Sequence, residues 1–507
     1  MRIKQIHAAA ALMLLVTSGG AYSQPVTFEG ATFVNKGLVG VARIPSTALD
    51  EFGETLGGIG SGMAMDLKKW KKRQDGTYTG RLYMIPDRGW NTQGTVDYRG
   101  RLQQFDIKLD PFEGAGPTGQ DQLTLRFKKS LVLYPSGGQP TTGLDPTGVR
   151  PPVPPNPELP IGPNGRVSFD GEGVVHVGDG TVWVSDEYGP YVYHYTLHGS
   201  LLHVIRPPDA FIPMRKDAAG NLVENFSANS PPRGAINPPN LGNPLSGRQN
   251  NQGFEGLAMS PDRKTLFVLL QSALIQDLNP ADINTTRRNT RLLAYDLRPD
   301  QPRLVGEYVL QLPLFVNASN QTRVAAQSEF LALNDHQFLV VARDSGAGFT
   351  AAVSQSVYRR VDLIDIAGAT NIANTDFDKV GGSVAPLGVL NPAVTPVKYQ
   401  TFLDINDNAQ LNRFGLHNGD PNDKNDLYEK WECLAVVPVG DRNAPNDYFL
   451  FVGSDNDFIT TKGFMTGFPY SDIADVDSLI LVYRVTLPTY VPPIRGKDDD
   501  DDNEAED

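Results

Sequence analysis

Four glutamates stand at the same place in a recurring phrase, each followed by a short apolar run. The copies read Phe-Asp-Gly-Glu172-Gly-Val-Val, Gln-Gly-Phe-Glu255-Gly-Leu-Ala-Met, Ala-Gln-Ser-Glu329-Phe-Leu-Ala-Leu and Glu-Lys-Trp-Glu432-Cys-Leu-Ala-Val. A fifth copy, Gly-Ile-Gly-Ser61-Gly-Met-Ala-Met, carries serine in place of the acid. If the copies are symmetry-related, their carboxylates converge, and converging carboxylates repel unless they are protonated or neutralised. A flexible ring of hard oxygen ligands suits a divalent cation, calcium ahead of magnesium or manganese.

Downstream of each phrase a second apolar run ends in polar residues. These ends are Asp87-Arg88-Gly89-Trp90, Asp186-Glu187-Tyr188, Gln271-Ser272, Arg343-Asp344-Ser345 and Ser454-Asp455-Asn456-Asp457. Adjacent antiparallel strands bring the start of one and the end of the next to a single edge. The candidate metal ligands are therefore Asp87, Glu172, Glu255, Glu329, Asp344, Glu432 and Asp455. Arg88 and Arg343, cations set among acids, are natural clamps for a phosphate or carboxylate. With Asp186 and Glu187 they form the candidate catalytic set, and Lys462 and His417 lie in loops that could join it. A purely structural reading stands beside this one: a glutamate at a strand start can bond the backbone of the next unit and stitch the ring together.

The elements that must position these residues are short strands. With 50 Gly and 39 Pro and little helical periodicity, the chain reads as all-β. A repeated unit of four strands is the signature of a β-propeller blade. The clearest unit joins Glu255-Gly-Leu-Ala-Met, a turn at Pro261-Asp262, Thr265 to Gln271, Arg291 to Asp296 and Leu304 to Leu310. Counting the phrases predicts five blades, or six if a degenerate one hides in an insertion. The last copy lacks a fourth strand, whereas Val26 to Val41 is strand-like and lacks a blade, so pairing the two ends would close the ring and remove exposed edges. Two insertions, Pro135 to Pro163 and Pro207 to Pro244, lack an apolar period and read as surface loops, either decoration or a lid.

At the N-terminus, Arg2 and Lys4 precede the apolar run Ala8 to Val16 and small residues around Ala21 to Ser23, the pattern of a secretory signal peptide. The run is too short to span a bilayer. The expected organisation is a signal peptide over 1–23, one propeller over 24–490 and an acidic disordered tail over 491–507, in a protein that is exported, not membrane-bound and monomeric. The net charge is −13, but residues 498–507 contain eight acids, leaving about −5 for the remainder. No basic stripe is present, which argues against nucleic-acid binding. The single cysteine, Cys433, excludes an intramolecular disulfide, so stability must come from core burial. Asn225, Asn284, Asn317 and Asn320 head glycosylation triplets.

Neither a Gly-x-Ser-x-Gly elbow nor a Ser-x-x-Lys motif stands out, which argues against a covalent serine esterase. His176, His194 and His203 fall within strands and read as packed side chains. The combination of Asp87-Arg88-Gly89-Trp90-Asn91, Ser185-Asp186-Glu187-Tyr188-Gly189-Pro190, Glu255-Gly-Leu-Ala with Pro261-Asp262, and Arg343-Asp344-Ser345 resembles the phytase-like family described as having esterase-like activity of phytase. The resemblance spans roughly residues 38 to 485. It implies a secreted β-propeller and a phosphoesterase; with the acidic ring read above, the expected substrate is small and phosphorylated and the expected cofactor is a divalent cation, calcium first. A non-catalytic propeller that binds a ligand or protein on the same rim, and a lactonase-like propeller enzyme, are the alternatives, since this fold hosts enzymes and scaffolds alike.

Overall fold

The computed structural model describes residues 24–135 and 138–493, so the expected signal peptide and most of the acidic tail lie outside the described residues. Five antiparallel sheets stand radially around one channel. Blade I contains Gly62–Lys72, Tyr78–Ile85, Arg101–Leu109 and Leu123–Val132. Blade II contains Gly171–His176, Thr181–Asp186, Val192–Thr196 and Leu201–Ile205. Blade III contains Phe254–Met259, Thr265–Leu270, Asn289–Asp296 and Arg303–Gln311, and blade IV contains Ala326–Ala332, Gln337–Arg343, Arg359–Asp365 and Lys398–Asp404. Among the described residues the insertions hold no sixth blade.

Blade V is shared between the chain ends, as the unpaired N-terminal strand predicts. Trp431–Pro438, Asp447–Ser454 and Ser478–Thr486 form its inner part, and Ala31–Ile44 pairs antiparallel with Ser478–Thr486 from Val34 opposite Thr486 to Ile44 opposite Ser478. Gln24–Phe28 adds a fifth strand outside it. The ring is thus held closed by a main-chain ladder inside blade V, whose inner strand lies beside that of blade I.

The first strand of every blade lines the channel, and apolar side chains alternate outward to fill the wedges between blades. Leu339 and Val341 of blade IV share a core with Leu434, Val436 and Leu450 of blade V, for example. The small residue after the acid has a packing reason: a Cβ on Gly62 would lie 2.2 Å from the Glu172 carbonyl oxygen, and one on Gly173 would lie 2.6 Å from that of Glu255. Backbones of successive inner strands touch there, and a backbone atom cannot step aside. Gly62→Ala is expected to cost about 1–3 kcal/mol through forced separation of blades I and II, read as a lower urea midpoint with an unchanged slope.

The insertions read as loops contain small hairpins, Gly148–Arg150 with Leu159–Ile161 and Met214–Lys216 with Leu222–Glu224. They are fastened to the blades. Asp145 accepts from Ser227 Oγ and Ala228 N, and the buried Arg248 guanidinium donates to the carbonyls of Tyr188 and Phe226. These bonds tie the second insertion to the first and to the turn that follows the second strand of blade II.

Candidate functional site

A β-bulge aims the repeated glutamates. In blade III, Phe254 pairs with Leu270 and Gly256 with Leu269, so Glu255 is the extra residue; in blade V, Glu432 is extra between the pairs Trp431 with Ser454 and Cys433 with Gly453. In blade II the register slips across Glu172 and Gly173. A bulge bends its strand and re-aims the side chain it carries, and these three carboxylates enter one cavity of about 320 Å³ at the channel mouth. Blade IV has its bulge one residue earlier, at Ser328, which leaves Glu329 within the ladder. A one-residue displacement reverses the face of a strand. Glu329 accordingly does not line this cavity; its Oε1 accepts from Leu257 N at 2.9 Å and Phe330 N at 2.8 Å, stitching blade IV to blade III.

The acidic cavity is lined by eight carboxylates, those of Asp87, Asp170, Glu172, Glu187, Glu255, Glu429, Glu432 and Asp457, against the three cations Arg88, Arg343 and Lys430. Two groups are tight enough to hold an ion: Asp170, Glu172 and Glu187 present ligand oxygens within 4.8 Å of one another, as do Asp87, Asp455 and Asp457. The groups differ in how they are neutralised. Lys430 Nζ lies 2.6 Å from Asp455 and 2.8 Å from Asp457, filling the second group with an ammonium. In the first, Arg88 binds only Asp170, at 2.9 Å, while Glu187 Oε1 is buried without a hydrogen-bond partner and Glu172 makes no side-chain hydrogen bond among the described residues. Glu255 is held at one oxygen by Gln271 and leaves Oε2 buried and unpartnered.

These surroundings set the protonation states. Burial, reinforced by Glu255 and Asp170, holds Glu172 well above the ordinary carboxylate range. Burial and Asp170 push Glu187 up to about 8, and burial with Glu187 and Glu432 raises Glu255. Burial and Asp455 raise Asp87, and burial brings Asp455 to about 7 against the pull of Lys430. Asp457 is the exception: burial opposes its charge, but Lys430 and the Tyr428 hydroxyl outweigh it and hold its carboxyl below the usual value. Left to protons alone, Glu172 and Glu187 keep their charge down by holding protons; a divalent cation would do the same by coordination.

Of the residues singled out in the sequence, Asp87, Arg88, Glu172, Glu187, Glu255, Arg343 and Glu432 meet at the cavity. Asp455 lies buried beneath it, tied to Lys430 and to Asp457 N. Asp186 does not reach it: its oxygens accept from the backbone of Asp170, Tyr188 and Gly189, and so fix the turn that presents Glu187. Asp344 faces away as well, accepting from Ser356 Oγ and Val357 N. Its neighbour Arg343 turns inward, where its guanidinium bonds Glu432 and Ser328 Oγ. Neither Lys462 nor His417 lines the cavity, and the strand histidines are packed as expected, His176 against Tyr83 and His194 against Trp183.

Sequence reasoning passed over Asp170 and Lys430. Both stand two residues before a repeated glutamate, a spacing at which strand side chains share a face. That offset was the available signal.

A profile of the phytase-like family, described as esterase-like activity of phytase, matches residues 55–458. An uncharacterized secreted protein of Arthroderma benhamiae is 43% identical over 463 residues, covering 85% of this chain and 88% of its own length. A solved luciferin-regenerating enzyme is 11% identical over 85% of this chain and 92% of its own, with a TM-score of 0.26, a likeness too slight to bear on function. Among the described residues no helix is long and apolar enough to cross a membrane.

Proposed function

Because the chain belongs to the phytase-like family, and because its channel mouth gathers unneutralised carboxylates beside two arginines, we propose that it is an exported, divalent-cation-dependent phosphoric-ester hydrolase. The observation that carries this reading is Glu187 Oε1, buried and unpartnered beside Asp170 and Glu172, in a cavity lined by eight carboxylates and three cations. Buried polar atoms are normally satisfied, and a persistent exception calls for a missing partner. The donor set is all oxygen, which fits calcium best, with Glu172, Glu187 and Asp170 as the holding residues. Bound there, the cation would polarise a phosphoryl oxygen and lower the pKa of an attacking water.

The remaining work falls to side chains of this chain. Arg88 and Arg343 present fixed positive charge to a phosphate entering the cavity, and the bonds that hold them, to Asp170 and to Glu432, orient them before substrate arrives. Water attack at phosphorus forms one P–O bond and breaks the ester P–O bond, so the leaving oxygen needs a proton. Glu255, kept protonated by burial and by Glu187 and Glu432 and oriented by Gln271, donates it. The cavity of about 320 Å³, which Asn251 and Gln271 also line, has room for a small substrate. The secreted relative supports export, in agreement with the expected signal peptide.

The test is release of phosphate from phytate and from simple phosphomonoesters, with calcium and then with chelator. Turnover that needs calcium and falls at least about 100-fold in Glu255→Gln is the expected result. Absence of phosphate release with any divalent metal would overturn the reading, and stabilisation by calcium without turnover would replace it with a cation-dependent binding propeller.

A further inference from the structure

The two acidic groups of the cavity are alike in composition and unlike in occupancy. Asp87, Asp455 and Asp457 bring their ligand atoms within 4.8 Å of one another, and Glu432 stands beside them. Into this group projects Lys430, with Nζ at 2.6 Å from Asp455 and 2.8 Å from Asp457 and 3.6 Å from Glu432. Three oxygens from three side chains around one nitrogen is the arrangement of a coordinated cation. Glu432 Oε2 is buried with no hydrogen-bond partner, since 3.6 Å is too long for one, and Glu432 is 2% exposed. The group therefore offers more acceptor capacity than one ammonium uses. Lys430 is also a cavity-lining residue, so its charge is presented to whatever enters.

We infer that Lys430 is a built-in replacement for a second metal ion: its ammonium occupies a divalent-cation position at Asp87, Asp455, Asp457 and Glu432, which limits the cavity to one exchangeable ion. The inference rests on the preceding reading for the first ion only. It assigns Lys430 a fixed positive charge in the cavity that Glu172 and Glu187 also line, one that a chelator cannot remove. Both groups line the same cavity, so a small anion bound there would be within reach of both the exchangeable ion and the ammonium. An ammonium donates hydrogen bonds and does not activate water, so the two positions are chemically unequal. A single metal then has the task of generating the nucleophile.

The experiment counts ions. The full chain and Lys430→Met are stripped with chelator, equilibrated with calcium or manganese, and their bound metal is measured by equilibrium dialysis, with manganese also followed by its paramagnetic resonance signal. Lys430→Met is expected to bind one ion more than the parent, and Lys430→Arg, which keeps the charge, is expected to bind the parent's number. Adding Asp455→Asn and Asp457→Asn to Lys430→Met should remove the extra ion. A parent that binds one ion with a variant that binds two supports both readings. A parent that binds none, with a variant that binds one, removes the proposed metal hydrolase and keeps the assignment of Lys430. Equal numbers in parent and Lys430→Met overturn the inference. If Lys430→Met folds only with divalent metal present, its refolding on calcium addition, followed by circular dichroism, is the same result in another form. Failure to fold at saturating calcium and manganese overturns it too.

Discussion

Arg343→Met is expected to destabilise the protein by about 3–5 kcal/mol, the usual cost of removing one partner from a buried ion pair. Arg343 and Glu432 are 8% and 2% exposed, and the guanidinium holds Glu432 across the junction of blades IV and V. Removing it strands a carboxylate whose Oε2 already lacks a hydrogen bond. The guanidinium also donates to Ser328 Oγ at 3.1 Å, so the bulge of blade IV loses its anchor as well. Chemical denaturation of the single variant, and of Arg343→Met combined with Glu432→Met, separates charge from packing. The double variant should recover most of the loss, because two apolar side chains of similar volume avoid the desolvation cost that the pair carries. A double variant no more stable than the single one would mean that the anchor at Ser328, and not the unpaired carboxylate, dominates. The same single variant should lose phosphate release, since the charge facing the substrate is gone.

Chelator-treated protein is expected to lose stability as pH rises from about 4.5 to about 8, with calcium restoring most of it at the upper end. Glu187 has an ordinary value of 4.5 in the unfolded chain and about 8 in the fold, raised by burial and by Asp170. Asp455 moves from 3.8 to about 7, mainly by burial, and Glu172, Glu255 and Asp87 move in the same direction. Between the two values the native state binds more protons than the unfolded state, so ∂ΔG/∂pH is negative. The stabilisation is fully present below about pH 4 and is lost as pH rises through 7 to 8. For Glu187 alone the loss is on the order of 4–5 kcal/mol, at about 1.4 kcal/mol per unit. A divalent cation binds the ionised forms and displaces the protons, so its stabilisation should grow over the same window. Thermal melts from pH 5 to 8.5, with calcium and with chelator, read both slopes. Glu187→Gln should flatten the decline in chelator and abolish much of the calcium effect. Parallel curves with and without calcium would exclude the carboxylates as the binding group.

The architecture was legible because each blade needs the same local solution. An inner strand must be apolar on its packed face and must carry a small residue where neighbouring backbones touch, and that requirement recurs as Gly62, Gly173 and Gly256 in the first three copies. The five copies, the strand-like segment before Val41 and the missing fourth strand of the last copy were enough to predict a closed ring of five or six blades. Pattern alone left five against six open, since an insertion of more than twenty residues can hide strands.

The site was legible only as a list of acids. Which of them converge depends on a bulge whose position differs by one residue between blades, at Glu255 and Glu432 but at Ser328 in blade IV. The phrase Ser-Glu329-Phe differs from Gly-Glu172-Gly in the residues that flank the acid, but those types do not fix where a bulge falls, and the displacement turns one carboxylate into an inter-blade stitch and leaves the other facing the cavity. The same holds at the strand ends, where Asp186 and Asp344 are consumed by backbone amides and Glu187 and Arg343 are not. Asp170 and Lys430 were within reach of period-two reasoning, but the pairing of Asp170 with Arg88 joins separate blades, and that of Lys430 with Asp455 and Asp457 joins the two ends of neighbouring strands more than twenty residues apart.

By itself, then, the sequence determined the all-β repeat, the closure by chain ends and the presence of a carboxylate-rich rim, because these follow from local pattern repeated five times. Tertiary structure alone decided which carboxylates face one another, which are already satisfied and that one acidic group is filled by Lys430. Those are relations between groups brought together by folding, some across blades and some within one, and the energy that sets them, desolvation and charge at distances of a few Å, has no counterpart in residue order.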